Sequence, residues 1–80
     1  TAIGQREDGS ILLLCIDGRQ AHSLGASFKD LIEIFTKYNA VNAANLDGGS
    51  SSLMVYEGKI ISVTASLYGS RKLPTAILVK

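Results

Sequence analysis

The sequence predicts an α/β (or α+β) fold: a mixed sheet with one βαβ crossover helix and a C-terminal β-hairpin. Three observations carry this expectation. Ile11–Asp17 (ILLLCID) is a continuous apolar run of strand length. Phe28, Leu31, Ile32, Phe35 and Tyr38 recur at i, i+3, i+4, i+7 and i+10, which places them on one face of a helix. Leu53–Tyr56 and Lys59–Val63 flank Glu57-Gly58, a tight-turn spacing.

Each element follows from local chemistry. Ala2–Arg6 reads as a short strand. Glu7-Asp8-Gly9-Ser10 is a turn, because Asp and Gly tolerate positive φ. The apolar run Ile11–Asp17 suits a strand covered on both faces, and Asp17-Gly18-Arg19 breaks it. Ser27 is the expected N-cap of the helix, and Asp30 sits in the first turn, where the dipole favours an anion. Lys37 falls in the last turn and Asn39 supplies the stop. Asn42–Leu46 is a second short strand of small residues. Ser66–Ser70 is a loop, and Pro74 sits early in a last strand, Thr75–Val79, where a missing donor is tolerated.

The functional expectation rests on topology. Strand Ile11–Asp17, helix Ser27–Asn39 and strand Asn42–Leu46 form a crossover. Helix and strand each span about 20 Å. Parallel strands joined this way end on one edge of the sheet, where ligands of open α/β sheets collect. The loops at that edge are Asp17-Gly18-Arg19 and Asp47-Gly48-Gly49.

Composition bounds the function. Eighty residues make one domain at most, and a chain this short buries roughly 60% of its unfolded surface. The hydrophobic fraction of 46% argues against disorder. Net charge is +1 with acids and bases interleaved, so no basic stripe tracks nucleic acid. Cys15 is the only cysteine, lies in an apolar run and reads as a small buried hydrophobe. His22 is the only histidine, so a His-rich zinc site cannot be built; no cofactor or metal is expected. No apolar stretch approaches the roughly 20 residues of a membrane span. The abrupt first and last residues, Thr1 and Lys80, suggest a stretch of a larger domain, with any signal or anchor upstream.

Asn45–Ser52 (NLDGGSSS) is the richest segment. It holds one acid, two glycines and three hydroxyls. Glycines let a backbone approach a ligand, and exposed amides beside hydroxyls suit phosphate or sugar oxygens. A plain turn between strands uses the same residues. The segment is neither a nucleophile elbow nor a Walker A loop, since Ser52 stands where the elbow needs glycine and no Gly-Lys-Ser/Thr follows. A Ser-His-Asp triad would need His22, which does not sit at a strand end. Asp17-Gly18-Arg19 alone reads as a strand stop with solvated charges; the shared edge with Asp47 tips it toward function. Arg71, in a glycine loop, is either a surface charge or a phosphodiester clamp.

The ordered blocks T-A-I-G, L-x-x-D-G-R, S-x-G-A-S-x-x-D-L, N-L-D-G-G-S-S-S-x-M-V and G-x-R-x-x-P-T-A-x-L-V resemble the phosphodiester glycosidase family over Thr1 to Val79. That family includes the animal uncovering enzymes and bacterial exopolysaccharide-related proteins. The resemblance covers only the C-terminal part of a longer family domain, whose N-terminal part is absent here. Family members often carry a third glycine where Ser50 stands.

The resemblance implies hydrolysis of a sugar-1-phosphodiester, of the N-acetylglucosamine-1-phosphodiester kind, outside the cell or at its envelope. Asp47 and, second, Asp17 are the expected catalytic carboxylates. Arg19 and Arg71 would bind phosphate, and Gly48, Gly49, Ser50 and Ser51 would supply amides and hydroxyls. The expected partner is a phosphosugar or glycan. Two other readings stand beside hydrolysis: a glycan-binding module without turnover, and a fragment whose exposed sheet edges need the missing part or a second copy.

Overall fold

A computed structural model describes residues 1–18, 25–63 and 72–80. The first strand, β1 (Ala2–Arg6), turns through Glu7–Ser10 into β2 (Ile11–Leu14). The turn closes with Arg6 N–H on the Ser10 carbonyl at 2.9 Å and Gly9 N–H on the Arg6 carbonyl at 3.0 Å. Gly9 adopts φ +90°, as the Asp-Gly pair predicts. The Asp8 carboxylate accepts the Ser10 N–H at 2.9 Å, and this bond lowers its pKa from the ordinary value.

Helix α1 spans Phe28–Lys37 behind an N-cap at Ser27. Ser27 Oγ accepts the Asp30 N–H at 3.2 Å, and Asp30 Oδ2 accepts the Ser27 N–H at 2.9 Å. This reciprocal pair satisfies two donors that a helix start would otherwise leave open. The helix stops where expected, with Asn39 at φ +61°, a conformation that asparagine tolerates better than most residues.

Strand β3 (Ala40–Asn45) follows, then a 3-10 turn over Gly49–Ser51 and a hairpin of β4 (Val55–Tyr56) and β5 (Lys59–Ile60). The first sheet has the order β2-β1-β3, and β4 pairs β5 in a second. Both ladders of the first sheet are antiparallel. The α/β class holds, but the sheet is antiparallel throughout rather than mixed, because the two strands joined by the crossover, β2 and β3, are not neighbours. They run in one direction, with β1 inserted between them, and α1 carries the crossover.

The sheet face under α1 is set by register. Gly4 pairs with Leu12 and Ala43, and Ala2 with Leu14 and Asn45, so these side chains share a face. Phe35 packs there against Gly4 and is 7% exposed, while Leu31 and Ile34 are half-buried. The predicted five-residue stripe is only partly used: Phe28, Ile32 and Tyr38 are exposed. Three short strands with small residues at Ala2 and Gly4 accommodate one ring, not the whole stripe.

Further expectations are corrected. The strand expected over Ile11–Asp17 ends at Leu14, because Leu14 pairs with Ala2, the first residue of β1, and Cys15–Asp17 extend past it. Its second face is open rather than covered, with Ile11 and Leu13 exposed, because α1 packs on the other side. Thr75–Val79 is not a strand; its donors and acceptors have no described strand beside them, and Leu78 and Val79 are exposed. Strand Asn42–Leu46 is displaced to Ala40–Asn45, matching the span of β1 from Arg6 to Ala2. The hairpin expected over Leu53–Val63 has a shorter ladder than predicted. It is continued by Ile61 N–H on the Met54 carbonyl at 2.9 Å and Met54 N–H on Ser62 Oγ at 3.0 Å.

Candidate functional site

The register brings the ends of β2 and β3 to one edge. Leu14 and Asn45 are both partners of Ala2, one on each side. Asp17 lies three residues beyond Leu14, and Asp47 two beyond Asn45. The Leu46 N–H donates to the Thr1 carbonyl at 2.9 Å, which carries β3 to the same rim before the loop departs.

The Asp47 loop is built by its own backbone. Asp47 Oδ1 accepts the Gly48 N–H at 2.9 Å. Gly48, extended, precedes the 3-10 turn, and Gly49 enters it at φ +59°, a left-handed conformation that a side chain would strain. Ser51 N–H then donates to the Gly48 carbonyl and Ser52 N–H to the Gly49 carbonyl, each at 3.1 Å. Of the four residues expected to supply amides, Gly48 and Ser51 thus spend theirs inside the loop. The amides of Gly49 and Ser50 are the two that these bonds do not use, and the Ser50 and Ser51 hydroxyls sit at half-buried positions. Ser52 is buried, and its Oγ accepts the Thr1 hydroxyl at 3.0 Å. It fixes the loop to the sheet.

Asp17 is placed differently. Its Oδ1 accepts the backbone N–H of Val63 at 2.8 Å, across 46 positions of sequence. The bond joins the end of β2 to the chain leaving the hairpin.

Between these two corners lies an open cleft of about 510 Å³. Gly48, Gly49 and Ser52 line it on the loop side, with Gly18, Gly25 and Ser27 near the helix start. Its apolar wall comes from Leu14, Ile16, Phe28, Leu31, Leu46 and Val63. Ser27 and Phe28, at the start of α1, line this cleft, and Ser27 Oγ takes the Asp30 amide.

Gly48 and Gly49 are therefore cleft residues, with Asp47 heading their loop and Asp17 anchoring a segment on its wall. Arg19 and Arg71, the expected phosphate ligands, lie outside the described residues, as do His22 and the Ser66–Ser70 loop. The apolar wall is what residue-by-residue reading missed. Phe28 and Leu31 read as core because they fall on the helix stripe. The crossover offered a signal for them, since it returns the helix start to the edge where β2 ends. Val63 had no local signal, because its place depends on a bond to Asp17.

A family model described as phosphodiester glycosidase matches residues 1–80. A Bacillus subtilis (strain 168) protein described as SPbeta prophage-derived uncharacterized protein YomE is 43% identical over 61 residues, 76% of this chain and 10% of that protein. The N-acetylglucosamine-1-phosphodiester alpha-N-acetylglucosaminidases of Bos taurus and Homo sapiens are each 39% identical over 62 residues, 78% of this chain and 12% of each relative. The chain spans about a tenth of the length of these curated relatives. No solved structure matches it at comparable significance.

Proposed function

The chain belongs to the phosphodiester glycosidase family, and on that premise we propose that it forms part of a site that hydrolyses a sugar-1-phosphodiester, of the N-acetylglucosamine-1-phosphodiester kind. In this reaction the bond between the anomeric carbon and the phosphate oxygen breaks. The electron pair leaves with the phosphate, and water supplies the oxygen of the released sugar and the balancing protons. The products are the free sugar and a phosphomonoester. A phosphate is already an anionic leaving group, so its departure needs little help from a general acid. The demand falls on a carboxylate near the anomeric carbon and on cations around the phosphate.

Asp47 is the carboxylate we assign to that chemistry, as nucleophile or as the base that activates water. The observation that carries the reading is its loop: an acid, two glycines and serine hydroxyls at the rim where β2 and β3 both end. Gly49 and Ser50 would offer amides, and Ser50 and Ser51 hydroxyls, to sugar or phosphate oxygens. Arg19 and Arg71 take the phosphate by their planar guanidinium forks. The two named glucosaminidase relatives support the substrate class.

The exposed apolar faces support a second element of the reading. Among the described apolar residues only Ala2 and Phe35 are buried, while Phe28, Ile32, Ile11 and Leu13 face outward. We assign these faces to packing against further chain of the same domain, or against a second copy. The extracellular or envelope setting rests on the family resemblance. Separately, no helix of the described residues is long and apolar enough to cross a membrane.

The test is release of sugar from a fluorogenic or p-nitrophenyl phosphodiester of N-acetylglucosamine by the protein that carries this chain. Time-dependent release supports hydrolysis. Saturable binding of the same compound without release would leave a glycan-binding module instead.

A further inference from the structure

We propose that Asp17 is a positioning residue, which clips the exit of the β4–β5 hairpin to the end of β2 and so holds the wall of the cleft beside the Asp47 loop.

The hairpin needs such a clip. Its ladder contains two residue pairs, Val55 with Ile60 and Tyr56 with Lys59. A two-stranded hairpin of that size is marginal in water and does not fix its own place against another sheet. Its two ends are tied instead. At the entry, the Thr1 hydroxyl donates to Ser52 Oγ at 3.0 Å. At the exit, Val63 N–H donates to Asp17 Oδ1 at 2.8 Å. The second bond is the shorter of the two and spans 46 positions of sequence.

The consequence reaches the cleft directly. Val63 lines it, and so do Ile16 and Gly18, the neighbours of Asp17 on either side. Releasing the Asp17 bond frees one wall while leaving the Asp47 loop and its internal bonds in place. The bond requires an oxygen acceptor at Asp17, and the amide oxygen of asparagine also supplies one. A carboxylate that attacks carbon or takes a proton has no such substitute. Asp17→Asn and Asp17→Ala therefore separate positioning from catalysis.

The inference rests on the proposed hydrolysis for its kinetic readout, but not for its structural one. Both variants are compared with wild type by steady-state release from the fluorogenic phosphodiester and by hydrogen exchange at the Val63 amide. Asp17→Asn is expected to keep exchange and turnover within about threefold of wild type. Asp17→Ala is expected to speed Val63 exchange about tenfold and to raise KM about tenfold, with kcat changed less than about threefold. Loss of kcat in Asp17→Asn as large as in Asp17→Ala would overturn the inference and make Asp17 a catalytic carboxylate. Unchanged Val63 exchange in Asp17→Ala would overturn it as well. Should wild type itself release no sugar, the hydrolytic reading fails, and the exchange comparison still decides the clip.

Discussion

The Phe35 ring covers Gly4 so closely that a methyl group placed on Gly4 would stand 2.6 Å from Cε1 and 2.7 Å from Cδ1. This contact is the centre of the small core, joining α1 to the middle strand of the sheet. Gly4→Ala forces the ring or the helix to move. We expect a loss of about 1–3 kcal/mol, in the range of overpacked cores, read as a fall in the urea midpoint at unchanged slope. An alanine variant as stable as wild type would show that the ring is not held against β1.

The start of α1 couples Ser27 to Asp30. The Ser27 amide, then its hydroxyl, hold the Asp30 carboxyl below its ordinary value. A depressed carboxylate stabilises the fold above its unfolded pKa, and that contribution disappears as pH falls through the lower folded value. The window therefore lies below about pH 4. Ser27→Ala should cost about 1 kcal/mol of stability at neutral pH. It should also return part of the Asp30 titration toward the ordinary midpoint, as followed by carboxyl NMR. An unmoved Asp30 midpoint in that variant would mean the hydroxyl contributes nothing.

The hairpin turn places two consecutive residues at positive φ, Glu57 at 50° and Gly58 at 77°. Glycine adopts this conformation freely, whereas glutamate pays the left-handed penalty of about 1–2 kcal/mol. Glu57→Asn supplies the residue that such turns prefer and should raise stability by up to about 1 kcal/mol. Gly58→Ala should lower it by a similar amount. Thermal melts of the two variants, moving in opposite directions, would check the assignment together.

These turns and caps were legible in sequence because each is decided within a few residues. Asp8-Gly9, Ser27 with Asp30, Asn39 and Glu57-Gly58 announce themselves by side-chain chemistry. Strand ends were less legible, because a ladder ends where its partner ends. Cys15–Asp17 continue the apolar pattern of β2, yet nothing in that pattern reveals that β1 begins at Ala2. The order of the sheet was hidden for the same reason: the crossover predicts that β2 and β3 share a direction, but not that β1 lies between them. In the site, the rim shared by Asp17 and Asp47 followed from the crossover alone. The Asp17–Val63 bond did not, since it joins segments that no local rule connects.

Among the described residues few apolar side chains are buried, and the outward ones fall on several surfaces: Ile11 and Leu13 on the open sheet face, Phe28 and Ile32 on α1, Val55 and Ile60 on the hairpin. Burying a side chain of this size fully is worth about 1.5–3 kcal/mol, so leaving many exposed removes much of the usual driving force. The isolated 80 residues should therefore self-associate or melt without a cooperative transition. Sedimentation velocity with calorimetry checks this. A monomer with a sharp transition would show that the described contacts suffice and would remove the need for covering chain.

The chemistry assigned to Asp47 can be tested while an acceptor for the Gly48 amide is kept. Its Oδ1 accepts the Gly48 amide, and the amide oxygen of asparagine can accept the same bond. Asp47→Asn therefore keeps an acceptor for the Gly48 amide and removes the negative charge. If Asp47 attacks the anomeric carbon or activates water, turnover should fall by a factor of roughly 10³ or more, with substrate still bound. Asp47→Ala should lose the loop bond too, and so weaken substrate binding as well as turnover. Single-turnover kinetics with the fluorogenic phosphodiester distinguish the two variants. Normal turnover in Asp47→Asn would remove the carboxylate from the chemistry and leave the loop a purely structural corner of the cleft.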